Sequence, residues 1–417
     1  MSKIILALPA LTLLMLPSAA HAETISIGCT GGADTTICEL AGSMFEERTG
    51  HTVNIVAVPN NATEMLALYQ QLLSARSSDL DVLRIDGTWQ GMLEPFMVDM
   101  ASVVDGREDE WFPTIFQNNI VNGKMVSVPA FTDAGVLYYR QDLLDKHGRE
   151  VPTTWQELTE TAQFIQDAER AGGKTDIWGF VWQGRAYEGL TCDALEWVYS
   201  HGGGTIISPD GTVTINNAQA VKALELAASW VGTISPEGVL TYAEEEARGV
   251  FQNGNAVFMR NWPYAWTPAQ ADDSAIKGLV GVTILPAGEG GQSAATLGGW
   301  SYGVSEFSQN KDVATAFVEF ITSAEFQLIR AVQFSNLPTM PAVYDEPELQ
   351  ERNSFIAGLQ PVFLNAVSRP ATVAGERYNA VSTEFFNTVH AVLSGDQQAG
   401  PALEALEQSI ARALRGR

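Results

Sequence analysis

The amino-acid sequence predicts an α/β protein of two lobes, and three observations support that fold class. Short β-like runs alternate with helical periodicity along most of the 417 residues, as in mixed, mostly parallel sheets flanked by helices. The alternation restarts after about residue 135. No long low-complexity linker separates the two units, so we expect lobes joined by several chain crossings.

The first unit is predicted from strands that alternate with a helix. The expected strands are residues 24–28, 53–58 and 80–85. Between the last two, Leu66, Tyr69 and Leu73 fall on one face of a helix over 63–76. This order of elements is typical of parallel strand pairing.

The second unit shows the same alternation of strands and helices, with clearer helix boundaries. Its expected strands are residues 135–140, 177–182, 256–259, 279–285 and 300–305. Thr154 and Glu157 have the spacing of a capping box at a helix start. The helices expected from here onward are 154–172, 193–201, 217–231, 310–322, 377–393 and 401–414.

The first 22 residues have the pattern of a cleaved signal peptide. Lys3 precedes an apolar run over 4–16, and Ala20-His21-Ala22 supplies the small residues of a cleavage site. An uncleaved membrane anchor is the alternative, but the run is shorter than the ~20 residues that a span requires. The sequence therefore predicts a soluble, exported protein.

The composition excludes several classes of partner. The net charge is −25, and loss of the leader removes Lys3 and no acidic residue, which gives −26. So acidic a surface repels nucleic acid and anionic lipid. The five histidines are scattered and form no metal-binding spacing with cysteine, so we expect neither a metal nor another cofactor.

Three cysteines are present in a chain that is expected to meet an oxidising compartment. Cys29 and Cys38 are close enough in sequence for a disulfide between the end of a strand and the following helix. Cys192 would then be free. The alternative is three reduced, buried thiols.

An aromatic cluster is the strongest indication of function. Trp262 and Tyr264 follow the strand 256–259, and Trp300 follows Gly298-Gly299, where glycine allows close approach of the backbone. Ligands of α/β proteins bind at strand ends, and indole and phenol rings pack on the apolar faces of pyranose rings. Trp266 is assigned to the core.

Charged residues at predicted strand ends would hold the hydroxyl groups of such a ligand. Asp86 follows the strand 80–85, Asp133 lies in PAFTDAG, and Arg369 precedes a proline. Two enzymatic interpretations of the sequence are the alternatives to sugar binding. Residues 299–303 match the G-x-S-x-G elbow of hydrolases, but a strand continues through them. A pair of carboxylates would suit a secreted glycoside hydrolase acting on the same sugars.

The chain resembles the extracellular solute-binding proteins of bacterial ABC importers, of the maltose type and within it the trehalose/maltose-binding group. The resemblance covers the whole mature chain. The segments that carry it are TDAGVLYYR (132–140), WGFVWQGRAYEGLTCD (178–193), FQNGNAVFMRNWPYAW (251–266) and SAATLGGWSYGVS (293–305).

The resemblance implies a periplasmic-binding-protein fold of type II with the ligand between its lobes. The expected N-terminal lobe is 23–132 plus 279–336, and the C-terminal lobe is 133–278 plus 337–417. The implied ligand is an α-linked disaccharide, trehalose first and then sucrose or maltose. A monomer in the periplasm would deliver it intact to permease subunits in the inner membrane.

The resemblance also implies the residues of the pocket. Positions that match those of relatives are Asp86, Asp133, Trp262, Tyr264, Gly299, Trp300 and Arg369. Four positions depart from the pattern. Asp34 replaces a longer glutamate, Asn61 a small hydroxyl-bearing residue, Phe131 a tyrosine, and Leu66 an arginine that can reach the sugar.

Overall fold

The computed structural model describes residues 22–359, 362 and 366–415. The predicted leader, 1–22, lies outside the described residues except for Ala22. Two sheets with helices around them form the two lobes of the expected fold. Within the described ranges, the helices are all too short or too polar to cross a membrane.

The described strands form two mixed sheets and a separate hairpin, β4–β5. In chain order they are β1 Thr24–Cys29, β2 Thr52–Ala57, β3 Val82–Asp86, β4 Ile120–Val121, β5 Lys124–Met125, β6 Val128–Ala134, β7 Val136–Arg140, β8 Trp178–Val181, β9 Ala256–Asn261, β10 Val280–Thr283, β11 Ala295–Val304 and β12 Ala366–Val367. The first sheet has the order β12-β11-β3-β1-β2, with β6 also paired to β11, and the second has the order β10-β7-β9-β8. Parallel pairing joins β1 to β2 and β3, β11 to β12, and β8 to β9, whereas the remaining sheet pairings are antiparallel.

The described α-helices cover both faces of these sheets. In chain order they are α1 Ala33–Thr49, α2 Ala62–Ser74, α3 Gln90–Leu93, α4 Ala101–Val104, α5 Pro113–Gln117, α6 Gln141–His147, α7 Trp155–Ala171, α8 Glu188–Ser200, α9 Ala218–Trp230, α10 Glu244–Gln252, α11 Trp266–Ala269, α12 Lys311–Ile321, α13 Ala324–Phe334, α14 Pro347–Arg352, α15 Ser354–Gly358, α16 Ala371–Ala374, α17 Tyr378–Leu393 and α18 Ala399–Arg415. Short 3₁₀ turns are Glu94–Phe96, Glu108–Glu110, Glu237–Thr241, Pro263–Ala265, Pro341–Asp345 and Gly375–Arg377.

Local sequence signals fix several of these boundaries. Thr154 and Glu157 form the expected capping box at the start of α7. In contrast, α8 begins five residues before the expected residue 193. Nearly all of its side chains are buried, so the sequence shows no alternation of apolar and polar faces to mark where the helix starts.

Each lobe has its own hydrophobic core. The larger core contains four tryptophans whose rings contact one another edge to face or at a tilt: Trp155, Trp182, Trp197 and Trp230. The other lobe packs α1 and α12 on the first sheet, with Phe45 against Phe317 at 5.1 Å between ring centroids. The predicted disulfide is present and joins Cys29 at the end of β1 to Cys38 in α1, whereas Cys192 is free and buried.

The chain passes between the two sheets at positions that differ partly from the expected ones. It crosses directly from β6 to β7 at Gly135, next to the boundary predicted after residue 132. Residues 280–283, which the sequence analysis places in the N-terminal lobe, pair with β7 in the second sheet. The chain therefore returns to the first sheet between β10 and β11. The sequence does not predict this position, because the apolar run of β10 alone does not reveal which sheet the strand joins.

Candidate functional site

A cleft of about 240 Å³ lies between the lobes. Every predicted site residue lines it: Asp34, Asn61, Asp86, Phe131, Asp133, Trp262, Tyr264, Gly299, Trp300 and Arg369. These residues are spread over more than three hundred positions and meet because both sheets end at the cleft. Their contact with a ligand stays a prediction.

One side of the cleft, here called the polar wall, consists of Asp34, Asn61, Arg84 and Asp86. The Asp34 carboxylate accepts hydrogen bonds from the backbone N–H and hydroxyl of Thr30, at 2.8 and 3.0 Å. It also pairs with the Arg84 guanidinium at 2.9 Å. Asp34 lies in the first turn of α1, within the segment that the disulfide between β1 and α1 closes, so the carboxylate is held from several directions.

The other two members of the polar wall terminate secondary-structure elements. Asn61 is the N-cap of α2 and accepts the backbone N–H groups of Thr63 and Glu64 at 2.9 and 3.1 Å. Asp86 ends β3 and accepts from the backbone and hydroxyl of Thr88 at 3.0 and 2.7 Å. Both side chains therefore have a structural role as well as a place on the cleft.

Arg369 joins the two sides of the cleft. Its guanidinium lies 3.1 Å from Asp86 in the first lobe and 2.8 Å from Glu188 at the start of α8 in the second. Glu188 also accepts from the hydroxyls of Ser382, at 2.6 Å, and Tyr378. Burial raises the pKa of Glu188 above its ordinary value, although Arg369 opposes that shift.

The opposite side, here called the aromatic wall, consists of Tyr187, Trp262 and Tyr264. The Trp262 backbone is fixed because Asn261 accepts its N–H at 2.8 Å and the Tyr138 hydroxyl donates to its carbonyl at 2.9 Å. The Tyr264 hydroxyl donates to Glu245 at 2.6 Å. Trp262 is half-buried and lines the cleft.

Trp300 faces the cleft from the first lobe, on β11. Its ring contacts Trp89 edge to face, with centroids 5.4 Å apart. The preceding residue, Gly299, has φ +124°, and a Cβ there would lie 2.7 Å from the Phe131 carbonyl oxygen. Glycine at this position therefore allows β11 to pack against β6, a reason additional to the close ligand approach that the sequence suggests.

Asp133 presents a buried carboxyl group to the cleft. The residue is only 7% exposed, and its Oδ1 has no hydrogen-bond partner among the described residues. Burial raises the pKa of Asp133 to about 8, reinforced by Asp86 and Glu244 and opposed by Arg84 and Arg260. Near neutral pH its carboxyl group is therefore largely protonated, and a carboxylic acid both donates to and accepts from a hydroxyl group.

The structure adds cleft residues that the sequence analysis did not predict: Arg84, Arg185, Tyr187, Glu188 and Glu244. Tyr187 is 2% exposed, and burial raises the pKa of its hydroxyl, with Glu244 adding to the shift. It lies within WGFVWQGRAYEGLTCD, six residues past the end of β8, so the strand-end rule applies to it as well. Nothing in the local pattern singles out Glu244, one of three consecutive acids.

Trp266 and Leu66 lie outside the cleft. Trp266 packs against Phe355 with centroids 5.1 Å apart and against the larger core, as predicted. Leu66, at the position where relatives offer an arginine, is buried against Met65 and Tyr69.

The geometry argues against a metal site at the cysteines and against the hydrolase alternative. Cys29, Asp34 and Cys38 have ligand atoms within 4.8 Å of one another, but the two sulfurs form the disulfide and cannot bind a metal as thiolates. Ser301 lies inside β11, which continues to Val304, and the next helix starts at Lys311. The strand-to-helix elbow that a hydrolase serine requires is therefore absent here.

Comparison with known proteins agrees with this geometry. The family model of bacterial extracellular solute-binding proteins matches residues 33–328. A probable ABC transporter-binding protein of Deinococcus radiodurans is 46% identical over 403 residues, which are 96% of each chain. The solved structure of maltose-bound MalE3 of T. maritima superposes with a TM-score of 0.89 at 40% identity, over 94% of this chain and 99% of that one.

A more distant structure shares the fold. The GacH receptor of Streptomyces glaucescens, solved without ligand and with acarbose, has a TM-score of 0.81 at 24% identity, over 95% of this chain and 99% of that one. The family match and the D. radiodurans relative are decisive. The chain belongs to the bacterial extracellular solute-binding proteins.

Membership settles the broad class of activity. Proteins of this family are the solute-binding components of ABC importers and act outside the cytoplasm. The protein is therefore a carrier and not an enzyme, and the glycoside hydrolase alternative is rejected.

Proposed function

We propose that this protein is the periplasmic substrate-binding protein of an ABC sugar importer and that its ligand is an α-linked disaccharide. Trehalose is the first candidate, followed by sucrose and maltose. The monomeric protein binds the sugar between its lobes and delivers it intact to the permease subunits in the inner membrane.

One observation carries the proposal: aromatic rings from both lobes meet at a cleft that holds a buried carboxyl group, one of whose oxygens has no hydrogen-bond partner in the described part of the chain. Trp262 comes from the second sheet and Trp300 from the first, and Asp133 lies on the crossing strand β6. Rings offer flat apolar surfaces to pyranose C–H groups, and Asp133 offers hydrogen bonds to a hydroxyl. The maltose bound by the T. maritima relative, at 40% identity, supports the same class of ligand.

The proposed lobes are those of the sequence analysis, except that residues 280–283 join the C-terminal lobe and the short strand β12 pairs with β11 of the first sheet. Contacts already span the mouth of the cleft. Arg185 pairs with Glu64 at 2.7 Å, and the backbone N–H of Glu188 donates to Thr63 Oγ1 at 3.3 Å. A sugar that touches both walls has a higher affinity for the closed form and so shifts the equilibrium toward it.

A binding screen tests the ligand class. Exported protein is unfolded and refolded to remove any bound sugar, and its melting temperature is then measured with trehalose, sucrose and maltose. Cellobiose, a β-linked glucose disaccharide, is the matched control. We expect a rise with at least one α-linked sugar and little change with cellobiose, because ligands that bind only the folded state stabilise it.

Calorimetric titration of the best sugar, followed by chemical analysis of the recovered sugar, completes the test. The sugar should be recovered unchanged. Stabilisation by cellobiose but not by the α-linked sugars would contradict the proposed specificity, and stabilisation by no sugar would contradict the sugar-binding function itself.

Small-angle scattering tests closure and the monomeric state in one experiment. The forward scattering should correspond to a single chain, and saturating sugar should reduce the radius of gyration. An unchanged radius with bound sugar would rule out closure as the response to ligand.

A further inference from the structure

A buried arginine lies directly behind Trp262. The Arg260 guanidinium carbon is 4.0 Å from the centroid of the Trp262 ring. Arg260 has no exposed surface and does not itself line the cleft. One face of the indole is therefore occupied by a cation, while the half-buried ring still borders the cleft.

Buried partners fix the orientation of this guanidinium. Its Nε lies 3.0 Å from Asp193 and donates to Glu196 at 2.9 Å, and its Nη1 donates to Gln183 Oε1 at 3.0 Å. All three partners are fully buried. The planar fork of an arginine held in this way has little freedom to rotate.

The same cluster contacts both strands that cross between the lobes near the cleft. Glu196 accepts the backbone N–H of Thr296, at the start of β11, at 3.0 Å. At Gly135, between β6 and β7, an added Cβ would lie 2.7 Å from Arg260 Nη2 and would also collide with the Glu196 carboxylate. The cluster thus connects the ring of Trp262 to the crossing strands.

The first lobe repeats this arrangement around Trp300. The Arg84 guanidinium carbon also lies 4.0 Å from the centroid of its tryptophan ring. Arg84 is held by Asp34 at 2.9 Å and donates to Thr30 Oγ1 at 3.1 Å. Each lobe therefore places a charge-paired arginine on one face of the tryptophan that it presents to the cleft.

We propose that Arg84 and Arg260 are positioning residues that hold the indoles of Trp300 and Trp262 in the orientation in which their free faces receive the ligand. The inference rests on the proposed sugar-binding function. A desolvated guanidinium attracts the face of an indole more strongly than an exposed one does, and a rigid ring loses less conformational entropy when a ligand packs on it.

Fluorine NMR of protein that contains 5-fluorotryptophan tests the inference without depending on binding. The resonances of Trp262 and Trp300 are assigned from their Phe variants. In ligand-free Arg84→Met, the Trp300 resonance should shift and broaden while that of Trp262 is unchanged. In Arg260→Lys, the pattern should be reversed. The affinity for the sugar found in the screen should fall by about tenfold in each variant.

Arg170 supplies a matched control, since it lies 4.4 Å from the centroid of Trp178, away from the cleft. Arg170→Met should change the Trp178 resonance and leave sugar affinity unchanged. If Arg260→Lys does not fold because Asp193 and Glu196 lose part of their hydrogen bonding, the Trp300 resonance of the Arg84 variant decides the matter, because Arg84 itself lines the cleft and its affinity alone does not separate positioning from direct contact. Arg84→Lys, which keeps the charge but not the planar group, should restore only part of the affinity.

Three results would overturn the inference. They are unchanged resonances of both tryptophans, shifted resonances with wild-type affinity, and lost affinity with unshifted resonances. If the wild-type protein binds no sugar while the resonances shift as expected, the proposed function is contradicted. The shifted resonances would still show that each arginine orients its tryptophan ring.

Discussion

The two walls of the cleft are built in different ways. Members of the polar wall are already committed to neighbouring groups: Asn61 caps a helix, Asp86 closes a turn, and Asp34 pairs with Arg84. In the aromatic wall, the Trp262 ring packs on the buried cluster around Arg260, and the Tyr264 hydroxyl donates to Glu245. The polar wall is thus held through its own side-chain partners, whereas the Trp262 ring rests on a charge cluster that does not line the cleft.

Removal of the group that joins the walls should have the largest effect. Arg369→Met keeps the apolar stem but leaves Asp86 and Glu188 without their shared cation. A buried carboxylate without its partner costs about 3–5 kcal/mol of stability. We expect a loss of that size in urea unfolding, together with loss of sugar binding. A melting temperature equal to that of the wild-type protein would show that the walls are independent of Arg369.

Of the two walls, the disulfide should affect the ligand contacts of the polar wall only. Replacement of both Cys29 and Cys38 by serine should reduce the free energy of unfolding by about 2–3 kcal/mol, the usual cost for a loop of this length. Because Asp34 lies in that loop, sugar affinity should also fall. Cys192, which is free and buried but lines the cleft, is left unchanged in this variant. Wild-type affinity in the double variant would show that the disulfide does not contribute to sugar binding.

Asp133 gives the cleft a pH dependence whose sign follows from its environment. Burial raises the pKa of Asp133 to about 8 in the folded protein, whereas an unfolded chain has a value near 4. The folded state therefore keeps a proton that the unfolded state releases, and ligand-free stability falls as the pH rises between these values. The neutral variant Asp133→Asn should melt higher than the wild-type protein at pH 9, by roughly 2 °C or more.

The difference in melting temperature between Asp133→Asn and the wild-type protein should be smaller at pH 5, where the wild-type carboxyl group is protonated in the folded state. Thermal melts at pH 5, 7 and 9 measure it. A margin that is constant across the three pH values would show that Asp133 is charged in the folded protein.

The contact between the walls at the mouth of the cleft should have the smallest effect. Arg185 and Glu64 are about half exposed, with 45% and 53% of their side-chain surfaces accessible, and such pairs contribute about 1 kcal/mol or less. Glu64→Gln should weaken sugar binding by less than about fivefold at low salt and not at all at high salt. Glu110→Gln, which removes an exposed pair with Arg107 within one lobe, should have no effect on affinity.

The contrast between the walls also explains how much of the site the sequence predicts. Trp262 and Tyr264 stand within three residues directly after the strand β9, so a local pattern reveals them. Asp86 and Asp133 are found by the strand-end rule. Arg84 and Arg260 are not found, since an arginine inside a strand carries no local sign that its partners are acids far away in the chain. The pairing of residues 280–283 with the second sheet is not found for a similar reason, because strand pairing is a long-range property.

The stacking role of the tryptophans is the central claim, and paired calorimetric titration and thermal melting of Trp262→Ala test it most directly. The ligand-free variant should melt close to the wild-type temperature and bind sugar at least ~30-fold more weakly, as a binding hot spot does. Trp266→Ala is the matched control from the same stretch and should lose stability through its core packing yet keep its affinity. A Trp262→Ala protein that melts far below the wild-type protein and binds sugar normally would contradict the account.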